Sequence, residues 1–481
     1  MERIVGLILN CRVADIILCT KLNISMKKII GLLLVIFAFS SCQEDDLPAP
    51  VPFTPEVSPK TSTYSGDFLR DYITLTCKVA QTTDGFFPTQ AARAYGYIGV
   101  AAYESVVYGI NPENRLEGQL DGLAEGTIPD PLDSLGYNWA IACNAATADM
   151  MRYMFDLNLS EENRELIDNM EEGNLALLTI AEDEEVVMRS IAHGQSIAQA
   201  IYQVSMTDGG HESYLDPFQL PYDLAADDYC WVPTDVLTTT PLSPYWRENR
   251  SMIPGIVPAS QPIAPIEFST NPSSQFYGQA FDTYNQVMNL NSEEEREIAE
   301  YWADDPFATC TPAGHTFNII NQLLGESGAT LEKTAVGIGM MAIAENDAFI
   351  ACWESKYEYI LIRPVSYIQQ YIDPAFETTI GTPPFPAYTS GHSAEIGAGV
   401  KVLVHLFAEE NGDYTFTDLS QLQYGFSART YDNFYEMADE CALSRFYGGI
   451  HYEMDNSRGL DIGFAVGSSV VSDISWPDNI Q

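Results

Sequence analysis

The run LEKTAVGIGMMAIAENDAFIACWESKYEYILIRP, Leu331–Pro364, decides the fold. Its first part is apolar on every face, the pattern of a helix buried on all sides. Glu345, Asn346 and Asp347 interrupt it well short of the ~20 apolar residues that a membrane span needs, so the central helix of a bundle is expected. The end of the run changes character. Lys356 and Arg363 are seven apart, which on one helix puts two cations two turns apart on nearly one face, with Pro364 as the stop. Asp347 could pair with such a cation or hydrogen-bond inside the bundle.

Two later fragments complete a set. In PFPAYTSGHS, Pro384–Ser393, a proline-broken loop leads into Ser390-Gly391-His392 and then an apolar helical run. A helix starting near Ser390 offers free N–H groups and a positive dipole end to an anion, Gly391 lets backbone approach closely, and His392 can exchange a proton. In SRFYGGIHYEMD, Ser444–Asp455, Arg445 adds a third cation, and Asp455 lies four residues after His451. That spacing suits a carboxylate that holds one ring nitrogen so that the other is presented as nucleophile or ligand. Together the fragments describe a cage for a tetrahedral oxyanion.

The order and spacing, Lys-x6-Arg-Pro, then Ser-Gly-His, then Ser-Arg-x5-His-x3-Asp, resemble the vanadium-dependent haloperoxidases. That family shares a superfamily with type-2 phosphatidic acid phosphatases and bacterial class A acid phosphatases. The one departure is Thr389, where the family has proline before the serine. The resemblance implies an all-α fold, a large helical bundle with a long irregular wrapping segment, and a vanadate cofactor without haem. It also implies hydrogen peroxide and halide as substrates. His451 would be the axial vanadium ligand, and His392 the acid–base partner of the apical oxygen. Lys356, Arg363, Ser390, Gly391 and Arg445 would bind the remaining oxygens, with Lys356 polarising bound peroxide. Asp455 supports His451, and Trp353 and Phe385 match bulky residues beside the halide in chloroperoxidase-like members.

An acid phosphatase of the same superfamily would use the same residues differently, with His451 as nucleophile and His392 protonating the leaving group. The long helical region before the motif favours the peroxidase. A surface lipoprotein that binds glycans is a third reading, and it has no need of a convergent Lys/Arg/His set.

Composition sets the context. MKKIIGLLLVIFAFSSC, Met26–Cys42, has the basic start, apolar run and small residues of a lipoprotein signal peptide, with Cys42 as the lipidated N-terminus. Residues 1–25 read as a misassigned start, 43–65 as a disordered tether, and 66–476 as the helical domain with its oxyanion core at about 330–473. Without residues 1–42 the chain has 18 Lys/Arg against 65 Asp/Glu, a net charge of −47. So acidic a surface repels nucleic acid and suits an extracytoplasmic protein, periplasmic or at the cell surface, that meets the membrane only through its lipid. Three of the 18 cations fall in the proposed cage. The six remaining cysteines form no C-x-x-C pair, and buried free thiols are expected, with one disulfide possible.

Helices are expected from about Phe68, at 132–155, at 160–178 capped by Ser160, and at 182–206. His193 in the last of these reads as a core or surface histidine. Residues 208–275 hold ten prolines between Pro217 and Pro272 and little periodicity, which suits a lid or wall over the site. His315, just before a further helix, is the one extra histidine able to approach the cage, and a structural role is expected for it.

Overall fold

The computed structural model describes residues 57–219, 222, 227–234 and 239–478, which lie in one compact unit, Glu56–Gln481. The expected signal peptide, Cys42 and most of the tether fall outside the described residues. The tether's expected end at 65 is too late. Thr61 is buried, with its hydroxyl donating to the Val106 carbonyl (2.9 Å), and Ser65 pairs with Thr330, so the chain is anchored before the first helix.

The helices in chain order are α1 Asp67–Thr82, α2 Pro88–Glu104, α3 Trp139–Phe155, α4 Glu161–Leu178, α5 Glu184–Ser205, α6 Ile256–Ser260, α7 Gln275–Asn285, α8 Glu293–Tyr301, α9 Thr311–Glu326, α10 Leu331–Tyr359, α11 Pro364–Tyr371, α12 Gly391–Phe407, α13 Phe434–Tyr447 and α14 Glu453–Asp473. The all-α reading holds. Local chemistry sets the ends. Pro88 opens α2 where its missing N–H costs nothing, and the Ser160 hydroxyl accepts from Asn163 N–H. Ser292 and Glu295 form a reciprocal capping box on α8. The helix expected from 132 begins only at Trp139, where Asn138 caps it by accepting from Ile141 N–H.

The sequence reading missed one element. β1, Asp413–Asp418, and β2, Arg429–Asn433, form an antiparallel hairpin. Its inner residues Phe416 and Tyr431 face each other at 5.6 Å, and Phe416 packs on Phe434 at 5.2 Å. Hairpin and α13 thus form one unit.

α10 runs through the middle as expected. It is long and apolar enough to cross a membrane by length and composition, and its apolar stretch is wholly buried in the bundle. Asp347 resolves as structural, its two oxygens accepting from Met252 N–H (2.7 Å) and Ile253 N–H (2.8 Å). His193 is a core histidine packed against Tyr137 and Trp139, and burial lowers its pKa to about 4.

α12 and α14 cross closely because small residues face each other. A Cβ at Gly459, Gly463 or Gly467 would meet the backbone carbonyl of Ser390, Ala394 or Ala398. At Gly463 the clash with the Ala394 oxygen would be 2.2 Å. Gly463→Ala is therefore expected to destabilise the fold by about 1–3 kcal/mol, read as a lowered denaturation midpoint. The crossing also sets the spacing between the two helix starts that carry the site.

Candidate active site

The three fragments converge where α10 ends and α12 and α14 begin. The approach differs from the one expected of a single helix. α10 stops at Tyr359 because Ile360 takes a left-handed conformation (φ 47°), and Arg363 is the residue before α11. Pro364 opens that helix instead of ending the previous one, since proline's fixed φ suits a first helical position. Lys356 and Arg363 still meet, from separate helices, around the 385–389 loop.

Arg363 is fully buried. Its Nε donates to the Phe385 carbonyl (2.8 Å), and its Nη1 to the Ile450 carbonyl (2.8 Å) and toward His451 Nε2 (3.0 Å). His451 Nδ1 lies 2.9 Å from Asp455 Oδ2, as the spacing predicted. His451 sits just before α14, and the same carboxylate oxygen accepts from Tyr452 N–H (3.1 Å), capping the helix. Ser390 N–H donates to the Asp455 carbonyl (2.9 Å), joining the second and third fragments. Ser390 is the N-cap of α12, and Gly391 and His392 line the cavity at its positive end. Arg445, buried in the last turn of α13, donates from Nη1 to the Trp302 carbonyl (2.7 Å).

Lys356 reaches the site with its hydrogens already committed. Its Nζ donates to the carbonyls of Pro386 (2.9 Å), Ala387 (3.2 Å) and Thr389. In this arrangement it supplies charge to the cage and does not point a free N–H into it. Thr389, in place of the family's proline, keeps the turn fixed by hydrogen bonding: its hydroxyl lies 2.8 Å from that of Ser355 and 3.5 Å from the Cys352 thiol.

Burial dominates the electrostatics. It lowers Lys356 to about 7 and Arg363 to about 9. Burial and then the neighbouring cations hold His392 and His451 well below the usual imidazole range, while burial raises Asp455 to about 7. Both histidines are therefore neutral, and His451 Nε2 keeps its lone pair. Three buried cations face few carboxylates, and Arg363 Nη2, Arg445 Nε and His392 Nε2 are buried without partners. A bound anion would relieve both the missing hydrogen bonds and the charge penalty.

This predicts a pH dependence. Binding of sulfate, a tetrahedral anion that does not titrate in this range, should weaken as pH rises above about 7, where Lys356 gives up its proton. Calorimetric titration of the parent and Lys356→Gln checks it, since the variant should lose that limb. By linkage, the ligand-free protein should gain stability from this group between about pH 7 and about 10, because the unfolded chain there binds the extra proton.

The cavity above the cage holds about 220 Å³ and is walled mostly by apolar side chains, including Phe349, Trp353, Pro312 and Phe385. Trp353 and Phe385 both line it, with ring centroids 5.1 Å apart. The Phe385 ring also lies 5.0 Å from both Lys356 Nζ and Arg363 Cζ, so it lends its face to two cations. The proline-rich segment forms a wall through Leu242, whose N–H donates to the Pro384 carbonyl (2.8 Å) and whose carbonyl accepts from Tyr357 (2.6 Å). Phe349, four residues before Trp353 on α10, was findable from helical spacing; Phe87 and the 303–305 segment were not. His315 lies within α9, behind this wall, and does not line the cavity. All six cysteines in the described residues are free and buried. Among those residues no group of three or more His, Cys, Asp or Glu could hold a metal ion.

Residues 338–475 match the family model of the second helical-bundle domain of vanadium chloroperoxidase (VCPO). The structure is similar to that of a bacterial vanadium-dependent iodoperoxidase, with a TM-score of 0.78 and 27% identity over 89% of this chain and 100% of that one. It also resembles bacterial vanadium-dependent chloroperoxidase in apo form (TM-score 0.59, 13% identity, 82% of this chain and 96% of that one) and in holo form (0.60, 14%, 82% and 93%). At that identity the chloroperoxidases speak for the fold alone. No curated protein matches the chain. The chain thus shares its fold along nearly its whole length with solved vanadium-dependent haloperoxidases, and the residues of the cage fall within or beside the stretch that matches the second helical-bundle model.

Proposed function

We propose that the protein oxidises halide with hydrogen peroxide to hypohalous acid at a vanadate held in the cage. The observation that carries this is the set of unpartnered polar atoms, Arg363 Nη2, Arg445 Nε and His392 Nε2, gathered beside a neutral His451 under an apolar cavity. Those residues fit the group: His451 Nε2 would be its ligand, and Arg363, Arg445, Lys356 and Ser390 would neutralise its oxygens. Bound vanadate would supply a Lewis-acidic centre that activates peroxide without changing its own oxidation state.

The chain's residues do the rest. Asp455 holds the proton on His451 Nδ1 and so keeps Nε2 available. Conversion of halide and peroxide to hypohalous acid and water takes up one proton, and His392 Nε2 is placed to hold and deliver it. The aromatic wall of Phe349, Trp353 and Phe385 excludes water, which strengthens every electrostatic contact below it. Similarity to the iodoperoxidase makes iodide the halide to assay first.

The test incubates metal-free protein with vanadate and peroxide and follows iodide, bromide and chloride oxidation beside p-nitrophenyl phosphate hydrolysis. Vanadate-dependent halide oxidation is expected. Phosphate-ester turnover without any halide oxidation would establish the phosphatase instead. We also propose that the protein is an extracytoplasmic lipoprotein acylated at Cys42, on the strength of the Met26–Cys42 signal. Labelled fatty acid should be incorporated by the parent and not by Cys42→Ser.

A further inference from the structure

His315 is held on both ring nitrogens outside the cage. Its Nδ1 lies 2.9 Å from Asp304 Oδ2, its Nε2 lies 3.1 Å from Asp418 Oδ2, and its ring stacks on Trp302 with centroids 4.4 Å apart and planes 22° apart. Imidazole and both carboxylates are buried. Burial alone would lower the His315 pKa, but the two carboxylates outweigh it and raise it well above the usual range, so the ring carries a charge. Tyr301 donates to the same Asp418 oxygen (2.7 Å), and Gln421 Nε2 donates to Asp304 Oδ1 (2.9 Å). α8, α9 and the β1–β2 hairpin are thereby locked together.

The locked segment leads into the cage. The Trp302 carbonyl accepts from Arg445 Nη1 (2.7 Å), and the next residue, Ala303, lines the cavity beside His392, where its carbonyl favours the protonated ring. The residue after that, Asp304, is the one His315 grips, and it sits at φ 48°, a backbone conformation that non-glycine residues keep only when their surroundings enforce it.

We infer that His315 is a positioning residue for the anion site: clamped between Asp304 and Asp418 and stacked on Trp302, it fixes the 302–304 segment, whose Trp302 carbonyl aims Arg445 and whose Ala303 lines the cavity beside His392. The inference concerns how the cage of the proposed haloperoxidase is held, and its binding readout does not depend on halide chemistry. The titratable groups around the ring are Asp304 from the segment after α8, Asp418 from β1, Tyr301 from α8, Cys310 just before α9, and His392 and Glu395 from α12. Of these, His392 faces the cavity, and the fixed positive charge of His315 helps to keep it unprotonated.

The test compares His315→Gln with the parent and with His405→Gln, a partly exposed histidine near the end of α12, as control. Vanadate and phosphate binding to metal-free protein is followed by vanadium NMR and calorimetry, the pH–rate profile of iodide oxidation is recorded, and thermal melting reports the fold. His315→Gln should bind both oxyanions at least about tenfold more weakly, the size of effect seen when an outer support of a ligand is lost. Its pH profile should move to higher pH, because His392 then holds its proton longer. A purely structural role would lower the melting temperature and leave the profile in place. A folded His315→Gln variant with oxyanion affinity within twofold of the parent and an unmoved profile overturns the inference. Should that variant not fold, Asp418→Asn, which loosens one side of the clamp, decides by the same two readouts: weaker binding with a displaced profile supports the inference, and parental values overturn it. Failure of the parent to oxidise iodide would count against the proposed reaction and would leave the binding comparison to judge the positioning.

Discussion

His451→Ala loses halide oxidation down to the uncatalysed background and no longer retains vanadate. The expectation follows from His451 Nε2 being kept unprotonated by the proton on Nδ1, which Asp455 accepts at 2.9 Å, so that the Nε2 lone pair, now facing Arg363 Nη1 at 3.0 Å, is the one the cage offers a ligand. The two arginines of the cage have no lone pair with which to take its place. Equilibrium dialysis against vanadate, together with an iodide oxidation assay, measures both losses. Asp455→Asn should fall between this variant and the parent, weakening retention by about 10–100-fold, because it leaves the ligand in place but removes what orients it.

His392→Ala separates binding from turnover. The residue lines the cavity with Nε2 unpartnered, and its proposed part is to hold and pass the proton that the reaction takes up. Removing it should lower kcat by about 10²–10⁴-fold, the usual range for a general acid–base group, while vanadate is retained by His451 and the arginines. The contrast between the two histidine variants, one losing cofactor and turnover together and the other turnover alone, is a stronger sign of the assignment than either loss by itself.

The central helix and the members of the cage could be read from the chain because both depend on short-range patterns. An all-round apolar run marks α10, and Ser390-Gly391 marks the start of α12. The i, i+4 spacing of His451 and Asp455 survives even though the two flank a helix start, because the N-cap turn brings those positions together as a helical turn does. The same reasoning failed where tertiary context decided the backbone. Pro364 can stop one helix or open the next, and only the left-handed turn at Ile360 shows that it opens α11. The hairpin was hidden because DYTFTD and RTYDN are short and rich in polar residues, and the partner of their inward aromatics Tyr414 and Phe416, Phe434, belongs to the following helix.

The hidden hairpin bears on the site. Asp418 at the end of β1 is one jaw of the His315 clamp, so an element without an evident sequence signal reaches the cage through a buried ion pair. Lys356 carries a similar lesson. Its position on α10 follows from the sequence, but the three carbonyls that take its hydrogens come from the loop at 386–389 and could be seen only in the fold.

The most direct measurement is a crystal structure of the vanadate-loaded protein, with vanadium located by its anomalous scattering. The account predicts vanadium bonded to His451 Nε2, with its oxygens on Arg363, Arg445 and the start of α12 at Ser390 and Gly391. Vanadium bound elsewhere, or a cage that stays empty at saturating vanadate, would contradict it.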